Sequence, residues 1–231
     1  MNKEIQKVLD DYSESYVSNR LTNTFYNRLT PEERDELVEK FMFFLKPIID
    51  ESNKDVFTDI KKALLIYEVI SNCVTYNYAD KIPGKDDMRD TYVAGLATGK
   101  AICMGIAEIY TLLCSKAGVK VDTVVGYGGD PKNKGGAHAW NIVWLKDGEK
   151  LVPYHVDLTW DLLPYISDSG NFRYFLKSDD YMRAHNHEWK SKRYAHCPGD
   201  RKDIPKIKPE AINYLCDRFL TARNSLKIIK I

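Results

Sequence analysis

The chain has 231 residues, 44% of them apolar and 29% charged, the proportions of an ordinary globular protein long enough to bury a core without disulfide staples. Its 34 Lys and Arg against 33 Asp and Glu leave a formal net charge of +1, so no global field exists to hold nucleic acid or an anionic membrane surface. The opening MNKEIQKVLDD lacks the apolar run of a signal peptide, and no later segment is apolar for the length of a membrane span. The expectation is a cytoplasmic protein with neither nucleic acid nor membrane as partner.

Residues 1 to about 52 read as helical. Thr30-Pro31-Glu32-Glu33 offers an N-cap, a proline at the first helical position and a capping-box glutamate, and the helix it starts carries Leu37, Phe41, Phe44 and Leu45 on one stripe to about Ile49. Residues 1–54 are thus expected to be a helical extension on a domain spanning 55–231. From Phe57 to Tyr78, Ile60, Ala63, Leu64, Tyr67 and Ile70 repeat at helical spacing, and a charged loop with Pro83-Gly84 follows. A second periodic run, Cys103 to Lys116, ends at Gly118, where a helix takes a left-handed cap.

Beyond that helix the pattern changes. Val119 to Val125 alternates and is β-branched, Ala137 to Leu145 is rich in Trp, Ile and Val, and Lys150 to Val156 is similar. The intervening Gly128-Gly129-Asp130-Pro131 through Gly135-Gly136 and Lys146-Asp147-Gly148-Glu149 have hairpin chemistry, so three antiparallel strands are expected. Helices first and sheet second make an α+β fold. Past Trp160 the signal weakens through Pro164 and Ser167-Asp168-Ser169-Gly170, and Ala211 to Arg223 reads as a last helix.

The five cysteines, Cys73, Cys103, Cys114, Cys197 and Cys216, are odd in number and form no CxxC pair, so free thiols are expected, with no metal and no cofactor. His185, His187, His196 and Cys197 lie near one another in sequence, but their spacing fits no common zinc pattern.

Cys103 differs from the other thiols in standing at a helix start, where unpaired N–H groups and the helix dipole favour a thiolate. Gly105 permits close backbone approach, and the Cys103 amide can face a developing oxyanion. Taken alone, a cysteine in an apolar helix is a packing residue. His138 begins a strand after a glycine-rich loop and suits a general base; Asp157 ends the next strand, 19 residues on, where a hairpin brings it beside His138 to fix the tautomer. Each alone could be a packed histidine or a turn-forming aspartate. In this order they are what a Cys-His-Asp triad requires.

The run YVAGLATGKAICMGIAE over Tyr92 to Glu108, HAWNIV at His138 to Val143, HVDLTWD at His155 to Asp161 and YFLKSDDYM at Tyr174 to Met182, with the His185 to Trp189 stretch after it, resembles the bacterial transglutaminase-like superfamily. That resemblance covers roughly residues 55 to 200 and implies a papain-like core with thiol chemistry on carboxamide or peptide bonds: Cys103 as nucleophile, His138 as base, Asp157 as orienter. It also implies a protein or peptide substrate. Tyr92 matches a tyrosine upstream of the family's cysteine and stands as a second oxyanion donor or pocket wall, while Met104, Trp140 and Trp160 stand as pocket residues. Cys103-Met104-Gly105-Ile106 departs from the family's usual Cys-Gln-Gly-Tyr, which bears on the surroundings of the thiol. Acyl transfer, deamidation and hydrolysis share one thioester and are not separated by these motifs. The rival class is a peptide-binding module that keeps the fold without the chemistry.

Overall fold

The computed structural model describes residues 30–52, 59–78, 92–129, 135–163 and 172–225. The expected helical stretch before residue 30, the Pro83-Gly84 loop, the Asp130-Pro131 turn and the Pro164 and Ser167 to Gly170 segments lie outside them.

Helix α1 (Pro31–Ser52) is followed by α2 (Asp59–Cys73), the two-residue strand β1 (Thr75–Tyr76), α3 (Tyr92–Thr98), β2 (Lys100–Ala101) and the cysteine helix α4 (Cys103–Lys116). Three long strands come next, β3 (Lys120–Gly128), β4 (Gly136–Asp147) and β5 (Lys150–Val156). The chain then makes α5 (Leu158–Leu162), β6 (Phe175–Lys177), α6 (Asp179–Ala184), β7 (His187–Glu188) and α7 (Pro209–Ser225). The fold is α+β: helices on an antiparallel sheet of order β6-β5-β4-β3-β7.

Helix α2 stops at Cys73 rather than running to Tyr78, because Thr75 and Tyr76 pair in parallel with Lys100 and Ala101. A ladder partner distant in sequence overrides the local period there. Three strands were expected in the sheet, and five are present among the described residues.

Helix α4 is the centre of the molecule. Ten of its 14 residues, from Cys103 to Cys114, are buried on every side rather than on one stripe. Its end is closed as the sequence requires: Gly118 adopts φ +78°, a conformation costly for a residue with a Cβ, and the amides of Gly118 and Val119 reach back to Ser115 and Cys114. The sheet is pinned to it by Asn141, whose amide nitrogen donates to the Ala107 carbonyl at 3.0 Å and to Thr111 at 2.9 Å. The first bond is buried and the second partly so, and a buried bond is costly to lose.

The last helix packs where α1 and α2 meet. Phe219 is fully buried with its ring 4.9 Å from Phe41 and 5.2 Å from Phe44, and Arg218 donates to the Phe43 carbonyl at 2.7 Å. Such tilted and edge-on ring pairs add about 1 kcal/mol each beyond area burial. Among the described residues no helix is long and apolar enough to cross a membrane.

Candidate active site

The three residues singled out by the sequence come from three elements. Cys103 is the first residue of α4; the N-cap, Ile102, supplies no side-chain hydrogen bond, so the first amides of the helix have no partner within it. His138 sits near the start of β4, paired in register with Gly126 of β3. Asp157 follows β5 directly and caps α5, its side chain accepting from the Trp160 amide at 3.1 Å. All three are buried, Asp157 completely.

The geometry joins them. His138 Nε2 lies 2.6 Å from Asp157 Oδ2, and the Cys103 side chain stands close enough to the imidazole to raise its proton affinity. With Nε2 turned to the carboxylate, the other ring nitrogen is left for sulfur. Burial works against charge on His138, but the field and hydrogen bond of Asp157, helped by Cys103, outweigh it and carry the imidazole up to about 10. Burial likewise works against the Asp157 carboxylate, and His138 and His187 hold it well below the usual carboxylate range.

Close packing fixes the imidazole. Its ring stacks on Trp140 at 5.7 Å and lies 5.8 Å from Trp160. Gly128 stands against it, so that a Cβ built there would come within 3.0 Å of three His138 atoms. Trp140 and Trp160 are thus walls around His138. Met104 is different: it is fully buried with Ala107 and Ala139 between α4 and the sheet, a packing position. Tyr92 opens α3, donates its amide to Glu108 Oε2 at 3.0 Å and packs its side chain against the main core.

Sequence reasoning missed one residue of the site. His187 is fully buried, with Nε2 2.9 Å from the same Asp157 Oδ2 that meets His138. In the sequence it belongs with His185, His196 and Cys197; the fold sends the last two elsewhere. His196 and Cys197 go instead to Asp179, His196 through Nδ1 at 2.8 Å and Cys197 through its amide at 3.0 Å. The one signal that pointed to His187 was the His185 to Trp189 stretch within the family resemblance.

Among the described residues two sets of ligand-type atoms approach within 4.8 Å, His138-Asp157-His187 and His155-Asp179-Cys197. Both are held by hydrogen bonds. In the second, the Trp140 indole N–H donates to His155 Nδ1 at 2.9 Å, so the ring proton is on Nε2, where it meets Asp179 Oδ1 at 2.9 Å. A metal at that nitrogen would have to displace this proton, so the donor set suits hydrogen bonding better than ligation. Burial pushes the Cys197 thiol up, which makes this cluster a structural one.

Residues 47–155 match the transglutaminase-like superfamily, a span that takes in Cys103 and His138 and stops two residues short of Asp157. No curated protein matches the chain. Among solved structures the chain is similar to a TGase, with 17% identity, a TM-score of 0.47, and coverage of 76% of this chain and 44% of that one. It is also similar to a candidate cysteine protease from Cytophaga hutchinsonii, with 17% identity, a TM-score of 0.32, and coverage of 45% and 32%. The chain therefore spans less than half the length of either structure.

Proposed function

We propose that this chain, whose residues 47–155 match the transglutaminase-like superfamily, is a thiol enzyme that acts on carboxamide or peptide bonds of a protein or peptide through an acyl group carried on Cys103. The observation that carries this reading is the buried His138 imidazole held by Asp157 Oδ2 at 2.6 Å, with the Cys103 side chain at the start of α4 near enough to act on it. A binding module has no use for an aligned imidazole and carboxylate behind a thiol.

The chemistry follows from the placement. The sulfur, with its proton passed to His138, attacks the carbonyl carbon, and the oxygen that gains charge lies near the unpaired amides at the start of α4. His138 then gives its proton to the departing nitrogen, so ammonia or an amine leaves and a thioester remains. An amine or water, deprotonated by His138, attacks the thioester and releases the thiol. Asp157 stays ionised throughout, holding the ring and stabilising the imidazolium.

The test is Cys103→Ala assayed for ammonia release from a glutamine peptide and for cleavage of a casein substrate, beside the unaltered protein. The reading requires activity in the native protein and loss of it in the variant, with folding retained because a small thiol leaves little cavity. Equal turnover by the two proteins would overturn it.

A further inference from the structure

We propose that His187 is a fourth, positioning residue of the site: as an imidazolium it holds Asp157 from the side away from His138 and shares that carboxylate's charge. The inference rests on the thiol-enzyme reading for its consequence, though not for its geometry.

The observation is a mismatch between protons and acceptors. His187 Nε2 lies 2.9 Å from Asp157 Oδ2, and its Nδ1 lies 2.9 Å from the carbonyl oxygen of His185. A carboxylate and a carbonyl oxygen can only accept. A neutral imidazole has a single N–H, so either neutral tautomer sets a nitrogen lone pair against one of these oxygens; the ring with two protons satisfies both. Among the described residues no protein donor approaches the ring nitrogens at these positions to relieve the conflict.

Burial opposes the charge and draws the His187 value down. Burial also opposes the charge on His138, and one carboxylate at 2.6 Å outweighs it. At His187 two further features favour the cation. The His185 carbonyl takes the second proton. Aromatic rings enclose it, with the Trp160 centroid at 4.2 Å, Trp140 at 5.1 Å and Tyr174 at 5.7 Å, and aromatic π systems attract a cation.

The groups facing the ring from each neighbouring element are few. Asp157 faces it from the end of β5, His138 from β4 with its centroid 5.5 Å away, and the Tyr174 hydroxyl-bearing ring from the segment before β6. On its own strand Glu188 is engaged by Arg183 at 2.5 Å, and the His185 ring stacks on Tyr181 at 4.0 Å. Among the described groups facing the ring, only His138 opposes a positive charge on His187.

The consequence lies in the proton that His138 must surrender. Were Asp157 to serve His138 alone, the imidazolium would hold its proton more tightly and would be a poorer acid toward the departing nitrogen. Sharing the carboxylate moderates that hold.

Nitrogen-15 NMR of the intact, uniformly labelled native chain reads the protonation directly. Expected at pH 7 is one ring, assigned to residue 187 by its loss in His187→Gln, with protons on both nitrogens; a bare ring nitrogen overturns the proposal. The second measurement is the rate of Cys103 alkylation by iodoacetamide against pH. In His187→Gln and His187→Leu, both uncharged at this position, the inflection belonging to His138 should move to higher pH by about one unit, 1.36 kcal/mol of proton affinity. An unmoved inflection in a folded variant overturns it. If no cysteine of the native protein alkylates preferentially, the thiol-enzyme reading fails by itself, since the NMR result at His187 does not depend on it.

Discussion

Asp157 accepts the backbone N–H of Trp160 at 3.1 Å through Oδ1 while its Oδ2 meets His138, so the residue that orients the imidazole is also the N-cap of α5. The two duties separate by substitution. Asp157→Asn keeps an oxygen for the cap but turns amide hydrogens toward His138, favouring the tautomer with its proton on the sulfur side. Activity should fall about 10³- to 10⁴-fold while the variant remains folded. Asp157→Ala should lose activity and also about 1 kcal/mol of capping, with further cost from two imidazoles left unpaired. Turnover and urea denaturation of the pair check this. An Asn variant as active as the native protein would remove Asp157 from the proposed mechanism.

The five thiols should separate by surroundings rather than by exposure. Cys103 and Cys73 are equally covered, at 7% each, but Cys103 adjoins an imidazole at a helix start. Cys73 lies beside Cys216, and that contact lowers the first thiol while raising the second. Burial pushes up both Cys114 and Cys197. Timed iodoacetamide labelling with peptide mapping should find Cys103 modified first, Cys73 next, and Cys114 and Cys197 only on unfolding. Labelling of Cys114 at the Cys103 rate would contradict this order.

The long elements were legible because their patterns are local. Helix α4 has the bounds read from the apolar run and Gly118, and β5 those read from Lys150 to Val156. The meeting of His138 and Asp157 was legible too, since a hairpin brings the start of one strand close to the end of the next. What escaped has no local signature. Strand β7 is two residues long and exists because Glu188 and His187 pair with Tyr127 and Gly128, some 60 residues earlier. Strand β1 ended α2 early by the same kind of distant pairing. His187 was invisible as a partner of Asp157 because sequence proximity groups it with His185 and His196, and only the pairing of β7 with β3 turns it toward the site.

Gly126 ties that short strand to the site. A Cβ there would stand 2.3 Å from the Glu188 carbonyl oxygen and 2.7 Å from the Trp140 ring. Neither can yield freely, because the first is backbone of β7 and the second is buried with its indole nitrogen bonded to His155. Gly126→Ala should therefore cost about 1 to 3 kcal/mol and reduce activity by moving β7, and His187 with it. Gly136 is the control: nothing lies within 4 Å of its would-be Cβ, and Gly136→Ala should leave the unfolding midpoint unchanged. Equal midpoints for the two variants would show that β7 adjusts without strain.

Asp161 gives the pH dependence its sign. Its carboxyl lies one turn beyond Asp157, accepts the Tyr67 hydroxyl and the Tyr174 amide, and is nonetheless pushed up to about 7 because burial outweighs both bonds. In the unfolded chain it returns to its ordinary value of 3.8. Between about pH 4 and 7 the native state thus binds more protons here than the unfolded state does, so this group's contribution to stability is full below pH 4 and is lost as the pH rises toward 7. Asp157, held well below the ordinary range, acts in the opposite sense and only at lower pH. Asp161→Asn keeps an oxygen for Tyr67 and Tyr174 and cannot ionise. Relative to the native protein it should gain stability steadily from pH 4 to pH 7 and stay level above. Urea midpoints of both proteins across pH 4 to 8 measure the difference, in which the shared contributions of Asp157 and His138 cancel to first order. A native protein that instead gained on the variant over this range would mean that the Tyr67 bond outweighs burial and holds Asp161 ionised.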